Sequence, residues 1–91
     1  MDWLVYIIHC SDDTLYTGIT TDLARRLSLH AGNAGARYFR GRTPKQVVYL
    51  ERGHTRSSAS RREAVIKKLD RADKWRLIGS EHNQISAGKP G

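Results

Sequence analysis

Two tyrosines, an arginine and a histidine stand at spacings that would let them act together. Tyr6 and Tyr16 lie ten residues apart in segments rich in β-branched and aromatic residues, and Arg26 precedes His30 by four residues in a segment of helical periodicity. A guanidinium binds phosphate through two parallel hydrogen bonds, and an imidazole exchanges a proton near neutral pH. These groups therefore suit chemistry on a phosphate, provided that strands and a helix bring them together.

The distribution of charge predicts a polyanionic partner. The chain has 91 residues and a formal net charge of +7, and the excess lies between Leu23 and Arg62, where ten Lys or Arg accompany the single acid Glu51. Eleven of the sixteen basic residues are arginines, whose planar guanidinium suits bidentate phosphate contacts. Nucleic acid is therefore the predicted partner, although the same arginines would also help to keep a small protein in solution.

Length and composition fit one domain. The chain is 38% apolar and 27% charged, which supports a single small core. No apolar run approaches the roughly 18 residues of a membrane span, and Cys10 is the sole cysteine, so an internal disulfide or zinc knuckle is excluded. We expect a cytoplasmic domain over residues 1–79, with no membrane partner and no small-molecule cofactor, followed by a flexible tail over residues 80–91.

The first twenty residues predict a β-hairpin whose register has two alternatives. Two runs rich in β-branched and aromatic residues flank the turn-forming segment Ser11–Thr14. A three-residue loop would set Tyr6 opposite Gly18, with Tyr16 as a diagonal neighbour on the same face. A four-residue loop would place the two tyrosines on opposite faces, because a slip of one residue inverts every side chain.

The later elements follow from periodicity and end signals. Leu23, Leu27 and His30 recur with helical spacing, and Thr20 or Thr21 can cap this helix, predicted over about 21–31. The segment 37–44 mixes arginines with aromatic residues and is predicted to be a loop presented to a ligand. A third strand, a second helix and a third helix are predicted over 46–51, 61–69 and 70–78.

The candidate residues also occur in a recognisable order. Val5-Tyr6-Ile7 precedes Tyr16-Thr17-Gly18 by ten residues, and Arg26, His30 and Glu63 follow. With these motifs the chain resembles the GIY-YIG nuclease family, and over Trp3–Ile78 it resembles the small stand-alone bacterial branch of that family. Leu4-Val5-Tyr6 departs from the Gly-Ile-Tyr of the family name, and Thr17 replaces an isoleucine. The resemblance implies an α/β (α+β) fold, with a three-stranded antiparallel sheet flanked by helices in β-β-α-β-α-α order, and metal-assisted phosphodiester hydrolysis.

The same resemblance implies roles for individual residues. Tyr16 would take a proton from water with Tyr6 beside it, and nearby positive charge would have to assist, because a free phenol has a pKa of about 10. Arg26 would bind the scissile phosphate, and His30 would hydrogen-bond Tyr16 or relay a proton. Structural alternatives exist: a cross-strand aromatic pair for the tyrosines, a solvated arginine, and a histidine that completes the apolar face of its helix.

Glu63 completes this catalytic set and is the predicted metal ligand. Mg²⁺, or Mn²⁺ in its place, commonly takes one carboxylate together with waters and substrate oxygens. Ser60 and Glu63 also match a capping box, in which the carboxylate only stabilises a helix start, unless Ser57 or Ser58 caps an earlier one. Some family members carry an asparagine after the glutamate, but Asn83 lies too far into the predicted tail to be assigned that place.

Basic and aromatic residues beyond the catalytic set are predicted to contact nucleic acid: Arg37, Tyr38, Arg40, Arg42 and Arg61. No feature reads a base sequence, so recognition of shape or of a junction is favoured. The predicted function is a Mg²⁺-dependent endonuclease that cleaves DNA in repair or in the processing of nicked or branched DNA. The alternatives are a DNA- or RNA-binding module that cleaves nothing and a ribosome- or RNA-associated basic protein.

Overall fold

A three-stranded sheet organises the chain. The computed structural model describes residues 2–31, with the backbone alone at 29–31, and residues 43–85. All strand pairs are antiparallel, in the order β2-β1-β3. The elements are β1 Trp3–Cys10, β2 Leu15–Thr20, α1 Leu23–Ala31, β3 Pro44–His54, α2 Arg56–Lys67 and α3 Arg71–Ile78. The predicted fold class and element order are confirmed.

The hairpin between β1 and β2 adopts the shorter of the two predicted loops. Tyr6 pairs with Gly18, and the Cys10 amide donates to the Thr14 carbonyl at 2.9 Å. Asp13 has a φ of 66°, in the left-handed region that Asp tolerates better than most residues, and this conformation closes the three-residue turn. Tyr6 and Tyr16 therefore project from the same face of the sheet.

Helices cover the sheet on both faces. On one face, Leu23 and Leu27 of α1 pack against the apolar side chains around Tyr6. On the other face, Ala59 and Ile66 of α2 pack with Val5, Ile7 and Tyr49, and the end of α3 joins them. No helix within the two described ranges is long and apolar enough to cross a membrane.

The helix starts differ from the predicted ones. The Asp22 carboxylate, in place of Thr20 or Thr21, accepts from the Arg25 amide at 3.1 Å and caps α1. Thr55 caps α2: its hydroxyl accepts from the Ser58 amide at 3.1 Å, while the Ser58 hydroxyl accepts from the Thr55 amide at 3.0 Å. This reciprocal pair satisfies the first amides of α2, so the helix begins well before the predicted residue 61.

Residues 80–85 lie against β3, whereas the sequence predicts a tail from residue 80 onward. The Asn83 side chain accepts from the Leu50 amide at 3.2 Å and donates to the carbonyls of Val48 and Ile78 at 2.7 and 2.8 Å. The Gln84 amide donates to the Leu50 carbonyl at 2.8 Å. Such contacts are polar and leave no hydrophobic periodicity for a sequence to display. Residues 86–91 lie outside the described part of the chain.

Candidate active site

Two tyrosines form the centre of the candidate site. The ring centroids of Tyr6 and Tyr16 are 6.3 Å apart, and the ring planes are inclined at 49°. Tyr6 is only 1% exposed, while Tyr16 is half-buried. Of the two phenols, Tyr16 is therefore the one that solvent and a substrate can reach more easily.

Gly18 makes this arrangement possible because the Tyr6 ring lies directly over it. A Cβ at position 18 would stand 2.5 Å from the Tyr6 hydroxyl oxygen and 2.7 Å from the ring carbon that bears it. Neither distance is compatible with a real side chain. The glycine thus lets the Tyr6 phenol extend from the central strand across β2, which is an edge strand of the sheet.

Helix α2 directs two neighbouring charged residues to different sides. Its buried line is formed by Ala59 and Ile66, both fully buried, and Arg62 and Glu63 flank this line about 100° apart around the helix. Val65 lies away from this line and is 51% exposed. The capping box that Ser60 and Glu63 would form is absent, because Glu63 lies inside the helix that Thr55 caps.

Electrostatics place Arg26 and Glu63 beside the tyrosine pair. Burial, the neighbouring Tyr16 and the Glu63 carboxylate all raise the pKa of Tyr6, while the Arg26 guanidinium lowers it. Burial and then Glu63 raise the pKa of Tyr16, and Arg26 again opposes them. Both charges therefore act on both phenols, although α1 and α2 cover opposite faces of the sheet.

The Glu63 carboxylate has the character of a partial metal site. It is 23% exposed and forms a long ion pair, 3.4 Å, with Lys67, which is itself 54% exposed. Within residues 2–28 and 43–85, no three or more His, Cys, Asp or Glu side chains are grouped so that they could hold a metal ion. A cation that keeps most of its waters and adds substrate oxygens needs one carboxylate, so Glu63 fits Mg²⁺ or Mn²⁺ but not a closed protein cage.

The structure describes the other predicted site residues only in part. His30 belongs to α1, but its side chain lies outside the described part of the structure. Arg61 is exposed on α2. The predicted nucleic-acid contacts at Arg37, Tyr38, Arg40 and Arg42 lie outside the described residues, as does the whole segment 32–42.

A second charged cluster, which the sequence did not predict, lies on the other side of α2. The Glu51 carboxylate accepts hydrogen bonds from the Tyr49 hydroxyl, from Arg62 Nε at 3.0 and 3.2 Å, and from His54 Nε2 at 2.7 Å. The other ring nitrogen of His54 contacts the Ser58 hydroxyl at 2.9 Å. One signal in the sequence marks this cluster: Glu51 is the single acid between Leu23 and Arg62.

These partners determine the ionisation of the cluster. Burial opposes the charge on Glu51, but hydrogen bonds from Tyr49, His54 and Arg62 outweigh it and lower the pKa of the carboxyl. Burial and the contact with Glu51 raise the pKa of Tyr49 to about 12. The Glu51 cluster is therefore an anion held by three donors, and it fixes α2 to β3 through Arg62.

Comparison with known proteins assigns the chain to a family. A family profile described as the GIY-YIG catalytic domain matches residues 2–77. A UPF0213 protein of Natronomonas pharaonis is 49% identical over 80 residues, which cover 88% of this chain and 94% of that protein. A UPF0213 protein of Desulfotalea psychrophila is 49% identical over 86 residues, covering 93% of this chain and 78% of that one.

A solved structure has the same fold. The solution NMR structure of a UPF0213 protein from Bacillus halodurans superposes with a TM-score of 0.56 at 36% sequence identity. The match covers 99% of this chain and all of that chain.

Proposed function

The chain belongs to the GIY-YIG nuclease family, and from this membership we propose that it is a metal-dependent endonuclease that hydrolyses phosphodiester bonds in DNA. One observation carries the proposal: the Tyr6 and Tyr16 rings lie 6.3 Å apart, and Arg26 and Glu63 both act electrostatically on these two phenols. Hydrolysis of a phosphodiester requires a proton acceptor for water and stabilisation of the charge that develops on phosphate oxygens. This group of residues offers both.

In the proposed mechanism, Tyr16 is the proton acceptor. As the more accessible phenol it would take the proton of the attacking water in its ionised form, and Tyr6 would hold it in place. Burial and Glu63 raise the pKa of Tyr16, so this ionisation depends on compensating positive charge, part of which Arg26 supplies. A Mg²⁺ or Mn²⁺ ion bound by Glu63 would add positive charge beside the phenols and the phosphate.

Arg26 and His30 would act on the phosphate and on proton transfer. The Arg26 guanidinium would donate two hydrogen bonds to phosphate oxygens and stabilise the charge that develops on them. His30 follows Arg26 by one turn of α1, and an imidazole there would relay a proton to or from the reacting oxygens near neutral pH. Both roles remain part of the proposal.

The biological setting proposed for this activity is cytoplasmic repair, or the processing of nicked or branched DNA. The net charge of +7 favours nucleic acid as the partner. A small domain with few side chains that could contact base edges favours recognition of DNA structure over recognition of a long base sequence. The lone cysteine, Cys10, is buried, and the chain has no second cysteine for an internal disulfide, in keeping with a reducing compartment.

A cleavage assay on a set of labelled substrates tests the proposal. Single-stranded, duplex, nicked and branched DNA, and a matched RNA, are incubated with the protein in Mg²⁺, in Mn²⁺ or in EDTA. We expect cleavage of DNA with metal and none in EDTA. Glu63→Gln should lower the rate by about 100-fold or more, because it removes the carboxylate charge while keeping the size of the side chain.

Two measurements make the assay decisive. Glu81→Gln changes an exposed glutamate after α3 and should cleave at the wild-type rate. A gel-shift titration should show that Glu63→Gln still binds DNA. If the wild-type protein binds DNA but cuts none of the substrates with either metal, the endonuclease is wrong and the non-cleaving binding module is correct.

A further inference from the structure

A cleft shares Arg26 with the proposed mechanism, but the rest of its lining takes no part in that mechanism. The cleft has a volume of about 250 Å³ and lies at the end of the sheet where β1 begins and β2 ends. Its lining consists of Trp3, Thr20, Thr21, Asp22, Arg25 and Arg26. Because Arg26 lines the cleft, a nucleic acid whose phosphate contacts Arg26 would have a neighbouring nucleotide at the cleft.

Trp3 is the aromatic residue among those that line this cleft, and its indole is held in place. The indole is partly buried against the core on the α2 side of the sheet, and the Arg56 guanidinium lies 5.8 Å from its ring centroid. Trp3 pairs with His54, and the register with β3 shifts between Trp3 and Val5. An indole anchored on a strand loses little freedom when a flat ring stacks on it, which favours binding of such a ring.

The polar groups of the cleft suit a nucleobase better than a phosphate. Asp22 lies in the lining, and its carboxylate is held there by the Arg25 amide at 3.1 Å. A carboxylate repels a phosphate but accepts a hydrogen bond from the amino group of a base. Arg25 and Arg26, on the same lining, can hold the phosphates on either side of that base.

We propose that this cleft binds one unpaired nucleobase, stacked on Trp3, from the nucleotide next to the phosphate held by Arg26. The proposal rests on the proposed function, since Arg26 is assigned to the scissile phosphate there. The volume agrees with a single base, because pockets for drug-sized ligands begin at roughly 300 Å³.

A base paired in a continuous duplex cannot enter such a cleft without leaving its stack. The cleft therefore selects DNA in which a base beside the cleavage site is already unpaired, as in a flap or at a branch point. This adds a preference for substrate structure to the general affinity that the basic residues provide.

Fluorescence of Trp3 tests the proposal without any cleavage. The chain has two tryptophans, and Trp75→Phe leaves Trp3 as the single reporter. The protein is titrated in EDTA with a short single-stranded oligonucleotide, and separately with an abasic backbone of the same length. We expect saturable quenching by the oligonucleotide and little quenching by the abasic chain, which keeps the phosphates but has no bases.

A matched pair of variants supplies the second measurement. Trp3→Leu should weaken binding of the normal oligonucleotide by about 5- to 100-fold and leave binding of the abasic chain unchanged. Trp75→Leu should leave both affinities unchanged, because Trp75 lies beside His9, at the other end of β1. Circular dichroism establishes that each variant is folded; if Trp3→Leu is not, the quenching experiment alone decides.

The outcomes separate this proposal from the nuclease. The wild-type protein could cleave DNA while its Trp3 fluorescence is not quenched and its affinity for normal and abasic chains is the same. In that case the base site is wrong and the nuclease stands. If Trp3 is quenched by the normal oligonucleotide alone while no substrate is ever cut, the base site stands and the nuclease is wrong.

Discussion

Two charged clusters lie on either side of α2 and differ in how the surrounding groups affect ionisation. Arg62 points toward β3, where Glu51 receives hydrogen bonds from Tyr49, His54 and Arg62 itself. Glu63, the next residue on α2, raises the pKa of the Tyr6 and Tyr16 phenols through its charge. In one cluster the neighbours favour the charged form of a carboxyl group, and in the other they disfavour the charged form of two phenols.

From this difference in ionisation we infer that the Glu51 cluster stabilises the fold and that the tyrosine pair serves function. The donors around Glu51 favour its charged form and lower its pKa, so the cluster contributes to stability. At the tyrosine pair, burial and Glu63 raise the pKa of Tyr16, which costs no stability near neutral pH because a phenol is neutral there in the folded and unfolded states alike; its ionised form would need added positive charge. We therefore expect substitutions in the Glu51 cluster to change stability and substitutions beside Tyr16 to change activity.

The largest effect is expected from Tyr16→Phe, which removes the proposed proton acceptor and keeps the ring. Cleavage should slow by about 10²- to 10⁴-fold, equivalent to roughly 3 to 5 kcal/mol in the barrier, with little change in melting temperature. Single-turnover cleavage and thermal denaturation measure the two quantities.

Tyr49→Phe is the matched control, because it removes a hydroxyl from the other cluster. It should cost about 1.5 kcal/mol of stability, through the lost hydrogen bond to Glu51, and leave cleavage close to the wild-type rate. Equal losses of rate in the two variants would contradict the separation of the clusters.

The next largest effect is expected from Glu51→Ala. The change leaves the Arg62 guanidinium and the Tyr49 hydroxyl without their acceptor, and we expect a loss of about 2 to 4 kcal/mol in the free energy of unfolding. Urea denaturation measures it. Glu81→Ala, at an exposed position, should stay within about 0.5 kcal/mol of the wild type. Similar losses in both variants would mean that the Glu51 cluster contributes nothing specific.

Gly18→Ala tests the steric requirement of the site. The new methyl group would overlap the Tyr6 hydroxyl, so the ring must move, at an expected cost of about 1 to 3 kcal/mol in stability. Because the displaced ring borders Tyr16, the cleavage rate should also fall. Cleavage rate and urea midpoint are measured together; a fully active, fully stable variant would show that the position of Tyr6 is unimportant.

The smallest effect on stability is expected when the pH is lowered. The folded-state pKa of Glu51 is lowered, so its contribution to stability is complete above the unfolded value of about 4.3 and is lost as the pH falls through the folded value. Urea midpoints of the wild type should therefore fall more steeply below pH 4.3 than those of Glu51→Gln. Parallel curves would indicate that other carboxyl groups dominate the acid response.

Much of the fold was predictable because it depends on local patterns. Two runs rich in β-branched and aromatic residues identified the hairpin, and the spacing of Leu23 and Leu27 identified α1. Helix ends were less predictable, since Thr55 and three serines lie at or near the start of α2 and each residue type can act as a cap. The candidate catalytic residues were identified by a family resemblance, because periodicity alone does not distinguish Tyr6 as a functional group from Tyr6 as a core aromatic.

By itself the sequence determined the kinds of elements, their order and the concentration of positive charge, since each of these is a property of residue type and short spacing. Only the tertiary structure decided that the hairpin loop has three residues, that Arg62 and Glu63 serve opposite sides of α2, and that Asn83 binds β3. These features arise from contacts between residues far apart in the chain. Their geometry depends on how whole elements pack, and no local pattern encodes it.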